Sequence, residues 1–421
     1  MKKRIVLATF GSLGDLHPYV AMGRVILARG HEAVIASFDN YREPVEREGL
    51  EFAAMRPAME IVGDPAVAMR KLLDPKKGPE YLVRHLFMPH IRESYEDLRR
   101  AAIGASTLVT HPITFAGPLL AEREGIHWVS SVLAPMSLFS AVDPSYFQAA
   151  PWLLWVRRLG VGAYRTVFAI ARRIARSWEA PLREFRAELG LPPTRRIAQF
   201  EGQYSPALNL ALFSPLLQRP QPDWPANTVA CGFALHDGPP ADFSVRAALS
   251  DFLSAGEPPV VFALGSSAVM IADDFWIHAL AAARGLGRRA ILVTGAAPER
   301  LPEIPDSARV FDYLPYSEVF PHAAAIVHQG GIGTLAQALH AGRPQLVTPV
   351  AFDQPDNARR VVRLGVARAL PFQKVTAQSL QAHLAPLLSE PHYARRAAAI
   401  GEQVRNENGT SRACDLLLSA H

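Results

Sequence analysis

AIVHQGGIGTLAQALHAGRPQLVTPVAFDQPDN, residues 325–357, reads as a strand, a glycine turn, a helix, a second strand and a polar loop. Ala325–Val327 is short and apolar, as a parallel strand covered on both faces must be. Gly330, Gly331 and Gly333 allow a sharp turn and a close approach of backbone to ligand, with no Cβ in the way. The pattern predicts a helix opened by Thr334, running over Leu335–His340 and stopped by Gly342-Arg343-Pro344. Free N–H groups and a partial positive charge at such a helix start suit a phosphate. The next strand, Gln345–Thr348, leads to Phe352-Asp353-Gln354, a carboxylate and an amide where strand ends normally meet ligands. The plain alternative is one more βαβ unit with an ordinary glycine loop.

Working outward, the same alternation recurs. Upstream lie strands at Val260–Leu264, Ala290–Val293 and Arg309–Phe311, with a helix at Asp274–Arg284. Downstream are helices at Gln354–Leu364, at Ala377–Leu388 capped by Thr376, and from Tyr393 on to Leu417. The N-terminal half repeats the theme. Strands are expected at Arg4–Thr9, Glu32–Ser37, Leu108–Thr110 and His127–Val132. Helices are expected at Pro18–Arg29, Tyr41–Glu48 and Ala116–Glu124, and a long one at Glu80–Ala102 is interrupted at Pro89. Such alternation argues for doubly wound parallel sheets. From Arg56 to Lys77 the pattern weakens, as in a substrate loop. Pro215–Pro225 is proline-rich, and Gly232–Pro240 reads as an interdomain connection. The expected division is a first domain over 1–225, a linker region over 226–258, a second domain over 259–400 and a C-terminal helix over 401–421.

A chain of 421 residues is long enough for two domains, and 49% hydrophobic with 20% charged residues is ordinary for a globular protein. Its 35 prolines imply long, stiffened loops. The net charge of +5 favours anionic ligands or a membrane surface, or is simply solvated. No signature of nucleic-acid binding occurs. Cys231 and Cys414 lie far apart without metal-ligand spacing, which implies a reducing compartment. The apolar run Ile5–Phe10 is too short for a signal peptide, and no run approaches the roughly 20 residues of a spanning helix. The expected location is cytoplasmic. Residues 152–178 stand out, with Trp152, Trp155, Val167, Phe168 and Ile170 among six arginines. This basic amphipathic pair of helices could dock on the inner face of a membrane or wall an apolar acceptor pocket. Equally it could pack on its domain with the arginines in water.

The stretch Phe10-Gly-Ser-Leu-Gly-Asp-Leu-His-Pro18, the glycine turn and the Asp353-Gln354 pair, in this order and spacing, resemble the family 1 glycosyltransferases that use nucleotide sugars. Among these the bacterial rhamnosyltransferases of rhamnolipid synthesis and the sterol glucosyltransferases are especially similar. The resemblance implies the GT-B fold, two Rossmann-like doubly wound parallel-sheet domains facing across a cleft, with the C-terminal helix crossing back to the first domain. It implies no cofactor beyond the nucleotide-sugar co-substrate. It also implies no metal, since no carboxylate cluster stands near the phosphate turn. In many members a histidine base stands three residues before the proline matched by Pro18; here that position is Asp15. His17, one residue before the proline, is the alternative base by its ordinary pKa. A helix N-cap is the structural alternative for Asp15. The aspartate that orients the family's base matches His111, which would make a reversed dyad.

For the donor, the resemblance implies contacts from Gly14, from Gly265-Ser266-Ser267 after the second domain's first strand, and from Gly330, Gly331, Gly333 and Thr334. Either His328 or Gln329 stands at the phosphate histidine. Tyr313-Leu314 matches the position of a base-stacking tryptophan, Gln337 that of a ribose-binding glutamate, and Asp353 and Gln354 a pair that holds sugar hydroxyls. The implied activity is inverting transfer of a hexose, with dTDP-rhamnose the favoured donor, to an apolar hydroxylated acceptor such as a flavonoid or hydroxy-fatty-acid lipid. UDP-glucose with a sterol, flavonoid or macrolide acceptor is the alternative, and an epimerase or hydrolase of nucleotide sugars is a reading from another class.

Overall fold

Continuous apolar runs such as Ile5–Ala8 and Val260–Ala263 have no exposed surface at all, as central strands flanked by helices on both faces require. The computed structural model describes residues 2–58, 65–295 and 301–419, so residues 59–64 of the expected substrate loop lie outside the described residues. The chain forms two compact units, Met1–His236 with Asn408–His421, and Asp237–Glu407.

The first unit is built on a seven-stranded, wholly parallel sheet. Its strands are β1 (Arg4–Ala8), β2 (Glu32–Ser37), β3 (Glu51–Ala54), β4 (Thr107–Thr110), β5 (His127–Val132), β6 (Leu208–Ala211) and β7 (Thr228–Ala230). Their order is β3-β2-β1-β4-β5-β6-β7. The second unit has a six-stranded parallel sheet of β8 (Val260–Ala263), β9 (Ala290–Val293), β10 (Ala308–Phe311), β11 (Ala325–His328), β12 (Gln345–Val347) and β13 (Ala367–Ala369). Its order is β10-β9-β8-β11-β12-β13. Both are doubly wound. Winding reverses between β1 and β4 in the first sheet and between β8 and β11 in the second, and ligands of such sheets gather at these switch points.

Three local readings are corrected. The first helix, α1 (Leu13–Ala28), begins five residues earlier than the periodicity predicts and carries Pro18 inside it. Ser12 is its N-cap, and the Asp15 side chain accepts the Ser12 N–H, so a capping box overrides the proline signal. The region read as a linker, 226–258, contains the edge strand β7 of the first unit and a helix, Phe243–Ser254, of the second, and the boundary between the units falls between them, at His236 and Asp237. The expected single helix from Tyr393 to Leu417 is two, Pro391–Arg405 and Gly409–Ser419, divided at Asn408, whose φ is +50°. The second of these packs on α1 within the first unit.

Candidate active site

The chain leaves β1 and enters α1 within a few residues. Gly11 has φ +129°, and a Cβ there would lie 2.6 Å from Cγ of Asp15, so glycine alone leaves the carboxylate its room. Asp15 Oδ2 accepts from the Ser12 backbone N–H at 2.8 Å and from the Ser12 hydroxyl at 3.0 Å. Its Oδ1 lies 3.6 Å from Nε2 of His111, the residue after β4. The backbone N–H of His111 donates to the Ala8 carbonyl at 2.9 Å, which pins it across the switch point. The Asp15 side chain is 30% exposed and that of His111 11%, so an incoming ligand meets the carboxylate first. Burial holds the His111 pKa below that of an ordinary imidazole, with the Asp15 charge opposing, so the ring is neutral at pH 7. Behind it stands Tyr19, one helical turn after Asp15, edge-on to the His111 ring at 6.3 Å. The Ser131 hydroxyl donates to the Thr110 carbonyl at 3.0 Å, so the Tyr19 hydroxyl donates to Ser131 at 2.8 Å. Asp15 and His111 are thus a half-buried carboxylate backed by a neutral imidazole, an arrangement able to take a proton and share it.

His17 is placed otherwise. Two residues beyond Asp15, it projects from a different side of α1. Its ring packs edge-on against His236, with centroids 5.2 Å apart, and burial together with that second imidazole lowers its pKa to about 3. Such a group accepts protons poorly at neutral pH. Gly14 occupies the second position of α1, where Pro18 has no N–H to offer its carbonyl.

In the second unit the corresponding point brings together the turns after β8 and β11. Gly265, at φ +65°, opens a one-turn helix, Gly265–Ala268, that carries the half-buried Ser266 and Ser267. Opposite it, Gly331 is the N-cap of α2 (Ile332–Ala341), so Thr334 falls in the first turn of that helix, with Gly333 before it, rather than opening it. The Gln329 carboxamide fills the space between: a Cβ on Gly265 would lie 3.1 Å from its Cδ, and one on Gly331 2.9 Å from its Nε2. Gln329 Nε2 reaches the Thr334 hydroxyl at 3.4 Å, while its Oε1 is buried without a partner. The Tyr316 hydroxyl bonds to Thr334 and to the Gly265 backbone, and burial pushes its pKa up to about 12. Glycine backbone, amide and hydroxyl donors and the positive end of α2 converge here, a seat suited to a diphosphate.

His328 does not share that seat. It is wholly buried at the end of β11, and its Nδ1 accepts from the Gly330 N–H at 3.1 Å. The proton is therefore on Nε2, which donates to Gln345 Oε1 at 3.0 Å. Both ring nitrogens are occupied, and burial lowers the pKa to about 4. His328 braces the glycine turn, and Gln329 is the side chain that enters the cradle.

The remaining candidates lie around these turns. Tyr313 is 42% exposed, with its hydroxyl 2.7 Å from the Asp237 carbonyl oxygen. Leu314 is buried in the apolar core beside Val319 and Phe320, leaving only its backbone for a ligand. Gln337 donates through Nε2 to Asp237 Oδ1 at 2.8 Å, and Asp237 Oδ2 accepts from the Ser317 N–H at 2.6 Å. Asp353 accepts from Asn357 Nδ2 at 2.7 Å, and the same amide reaches the Gly330 carbonyl at 3.0 Å. Gln354 Oε1 accepts from the Val350 N–H at 2.9 Å, so this pair first ties its own loop to the glycine turn. Phe352, just before it, adopts φ +54°, a strained conformation for a bulky residue. Sequence reasoning missed Tyr19, Asp237, Tyr316 and Asn357. Tyr19 and Asn357 stand four residues after Asp15 and Asp353, a helical spacing that could have exposed them; Asp237 and Tyr316 come from distant loops and carry no such signal. A cavity of about 370 Å³ beside Phe252, Arg289 and Arg309 lies at the N-terminal ends of β9 and β10, the opposite edge of the sheet from the glycine turn. Among the described residues, no three His, Cys, Asp or Glu side chains are grouped to hold a metal ion, and no helix is long and apolar enough to cross a membrane.

Comparison with known proteins places this geometry. Residues 283–413 match the family model described as erythromycin biosynthesis protein CIII-like, C-terminal domain. The chain is 34% identical to O-mycaminosyltylonolide 6-deoxyallosyltransferase of Streptomyces fradiae, over 98% of this chain and 96% of that protein. It is 30% identical to glycosyltransferase GtfC of Amycolatopsis orientalis, over 99% of this chain and 97% of that one. Its fold is similar to that of the glycosyltransferase VinC solved in complex with dTDP, with a TM-score of 0.69, 20% identity, and 99% of this chain and 98% of that chain covered. With two doubly wound sheets and such likeness along its whole length, the chain belongs to the family 1 glycosyltransferases of GT-B fold and is a sugar-transferring enzyme.

Proposed function

We propose that this enzyme transfers a 6-deoxyhexose, rhamnose being the favoured case, from its dTDP ester to a hydroxyl of an apolar small molecule, with inversion. The acceptor oxygen forms a bond to the anomeric carbon as the bond from that carbon to the diphosphate oxygen breaks. The acceptor proton passes to the Asp15 carboxylate, with His111 orienting it, and dTDP departs with the bonding electron pair. The donor seat of Gly265, Gln329, Gly331 and Thr334 stabilises the charge on the departing diphosphate. The observation that carries the reading is the Asp15–His111 pair at the first switch point, 3.6 Å apart. The choice of dTDP is supported by Gln337, an amide where a ribose diol would call for a carboxylate, and by the dTDP bound to VinC. A 6-deoxy sugar is supported by the name of the Streptomyces fradiae relative. UDP-glucose is the second reading, favoured by the Asp237 carboxylate against Gln337.

The test is calorimetric titration of the purified protein with UDP and with dTDP, followed by assay of transfer from the matching sugar donors. Clear preference for dTDP, and loss of transfer in Asp15→Asn with dTDP binding retained, is expected. Preference for UDP would make glucose the leading sugar, and binding of neither nucleotide would sink the donor assignment. Donor turnover without acceptor, at the full rate, would point to a hydrolase or epimerase instead.

A further inference from the structure

The helices over 152–178 leave apolar and basic side chains in solvent. On α-helix Val161–Ala175 the inward side, Tyr164, Phe168 and Ala175, is buried in a satellite core with Leu153, Ile197 and Phe200. The outward side keeps Ile170 58% and Ile174 54% exposed. The preceding turn, packed against that helix, adds Trp152 at 59%, Trp155 at 65% and Leu159 at 76%. Large apolar side chains exposed singly are ordinary, but here five fall within one short segment. Arg157, Arg158, Arg165, Arg173 and Arg176 are exposed among them, and Arg158 lies over the Trp155 ring at 4.2 Å. Between Asp143 and Glu179 there is no acidic residue, and the six arginines of this segment exceed the chain's whole net charge of +5.

We propose that this face docks on an anionic lipid surface. Tryptophan and isoleucine enter the boundary between headgroups and acyl chains, while the arginines meet the headgroup phosphates from the flank of the same helix. Charge complementarity commits the surface to this occupant: a second copy would bring arginine against arginine, and a neutral partner would leave them unanswered. The proposal is independent of which sugar and acceptor the enzyme uses.

The full chain is tested by sedimentation with vesicles of phosphatidylcholine alone and of phosphatidylcholine mixed with phosphatidylglycerol, read also by tryptophan emission. Expected is binding to the anionic vesicles alone, with a blue shift, reversed by raised salt. Each arginine near such a surface contributes about fivefold to partition, so Arg157→Gln/Arg165→Gln/Arg173→Gln weakens it about a hundredfold. Trp152→Ser/Trp155→Ser abolishes the blue shift. Both sets change exposed side chains, and unaltered thermal unfolding verifies the fold. The salt dependence of the unmodified protein stands as a separate test should a variant fail to fold. Equal binding to neutral vesicles, no binding to either, or light scattering that shows the tryptophans holding a dimer would overturn the proposal.

Discussion

Gly11→Ala tests the site through one methyl group. The new Cβ would stand 2.6 Å from Cγ of Asp15, where nonbonded carbons need about 3.5 Å, so the carboxylate must retreat by about 1 Å. That shift breaks the 2.8 Å bond from the Ser12 N–H and alters the 3.6 Å approach to His111. A misplacement of this size at a reacting group costs about a hundredfold in rate, against the 10²–10⁴ that a positioned base contributes in full. Gly11 also holds φ +129°, which alanine tolerates only with about 2 kcal/mol of strain, so a lower unfolding midpoint is expected as well. Turnover at saturating donor should fall about a hundredfold, while dTDP affinity stays unchanged because the donor seat belongs to the second unit. Asp15→Asn, which leaves the backbone untouched, should fall at least as far. The reasoning is refuted if Gly11→Ala keeps turnover within twofold, or if it loses dTDP binding in parallel with activity.

Gly265→Ala would drive its Cβ into the Gln329 carboxamide at φ +65°, and a loss of dTDP affinity of about tenfold or more, read by calorimetry, is expected. His111→Ala should lower transfer and change the shape of its pH profile; full activity at every pH would sink the Asp15–His111 pairing. Native His328 titrates at about 4 and the unfolded imidazole near 6.5, so between those values the unfolded chain binds the proton that the native chain refuses. Stability from this group is therefore complete above pH 6.5 and falls by about 3 kcal/mol on the way down to pH 4, and urea unfolding of His328→Gln should show a correspondingly shallower dependence. Gln337→Glu would set a second carboxylate against Asp237, and UDP and dTDP titrations near pH 7 should show both affinities reduced, with recovery in Gln337→Glu/Asp237→Asn.

Much of the fold is written locally. The central strands are short, carry an apolar run and are bounded by glycine or polar turns, so β1, β2, β4, β5, β8, β9 and β11 are readable within a residue or two. The strands that escape are β3, β6, β7 and β13, of three or four residues, three of them toward the sheet edges. There Glu51, Thr228 and Arg368 mix polar side chains into the pattern because only part of each strand is covered. The start of α1 escapes for a different reason. Pro18 ordinarily marks a first helical turn, yet the reciprocal Ser12–Asp15 contacts and the Gly11 turn fix the helix start earlier, an outcome decided by side-chain hydrogen bonds rather than by periodicity.

For the site, single positions were readable, and the one pairing reached, Asp15 with His111, came from the resemblance rather than from the residues themselves. Asp15 and His111 lie far apart in sequence but emerge from adjacent strands, so the parallel register of β1 with β4, which sets Ala8 beside Thr110, is what makes them neighbours. His328 and Gln329 are adjacent in sequence and have opposite fates, because the strand pleat sends successive side chains to opposite faces: His328 goes to Gln345 and the interior, Gln329 to the glycine cradle. Gln337 carries the same lesson furthest. Taken alone it is a lost carboxylate, and the loss points away from a ribose diol. In the folded chain its amide holds Asp237, which also binds the Ser317 N–H and lends its carbonyl to Tyr313, so a carboxylate stands beside the amide after all. What the amide adds is a donor that fixes where that charge sits. On the proposed donor reading, the nucleoside preference belongs to the Gln337–Asp237 pair as a unit, and neither residue can be read without the other.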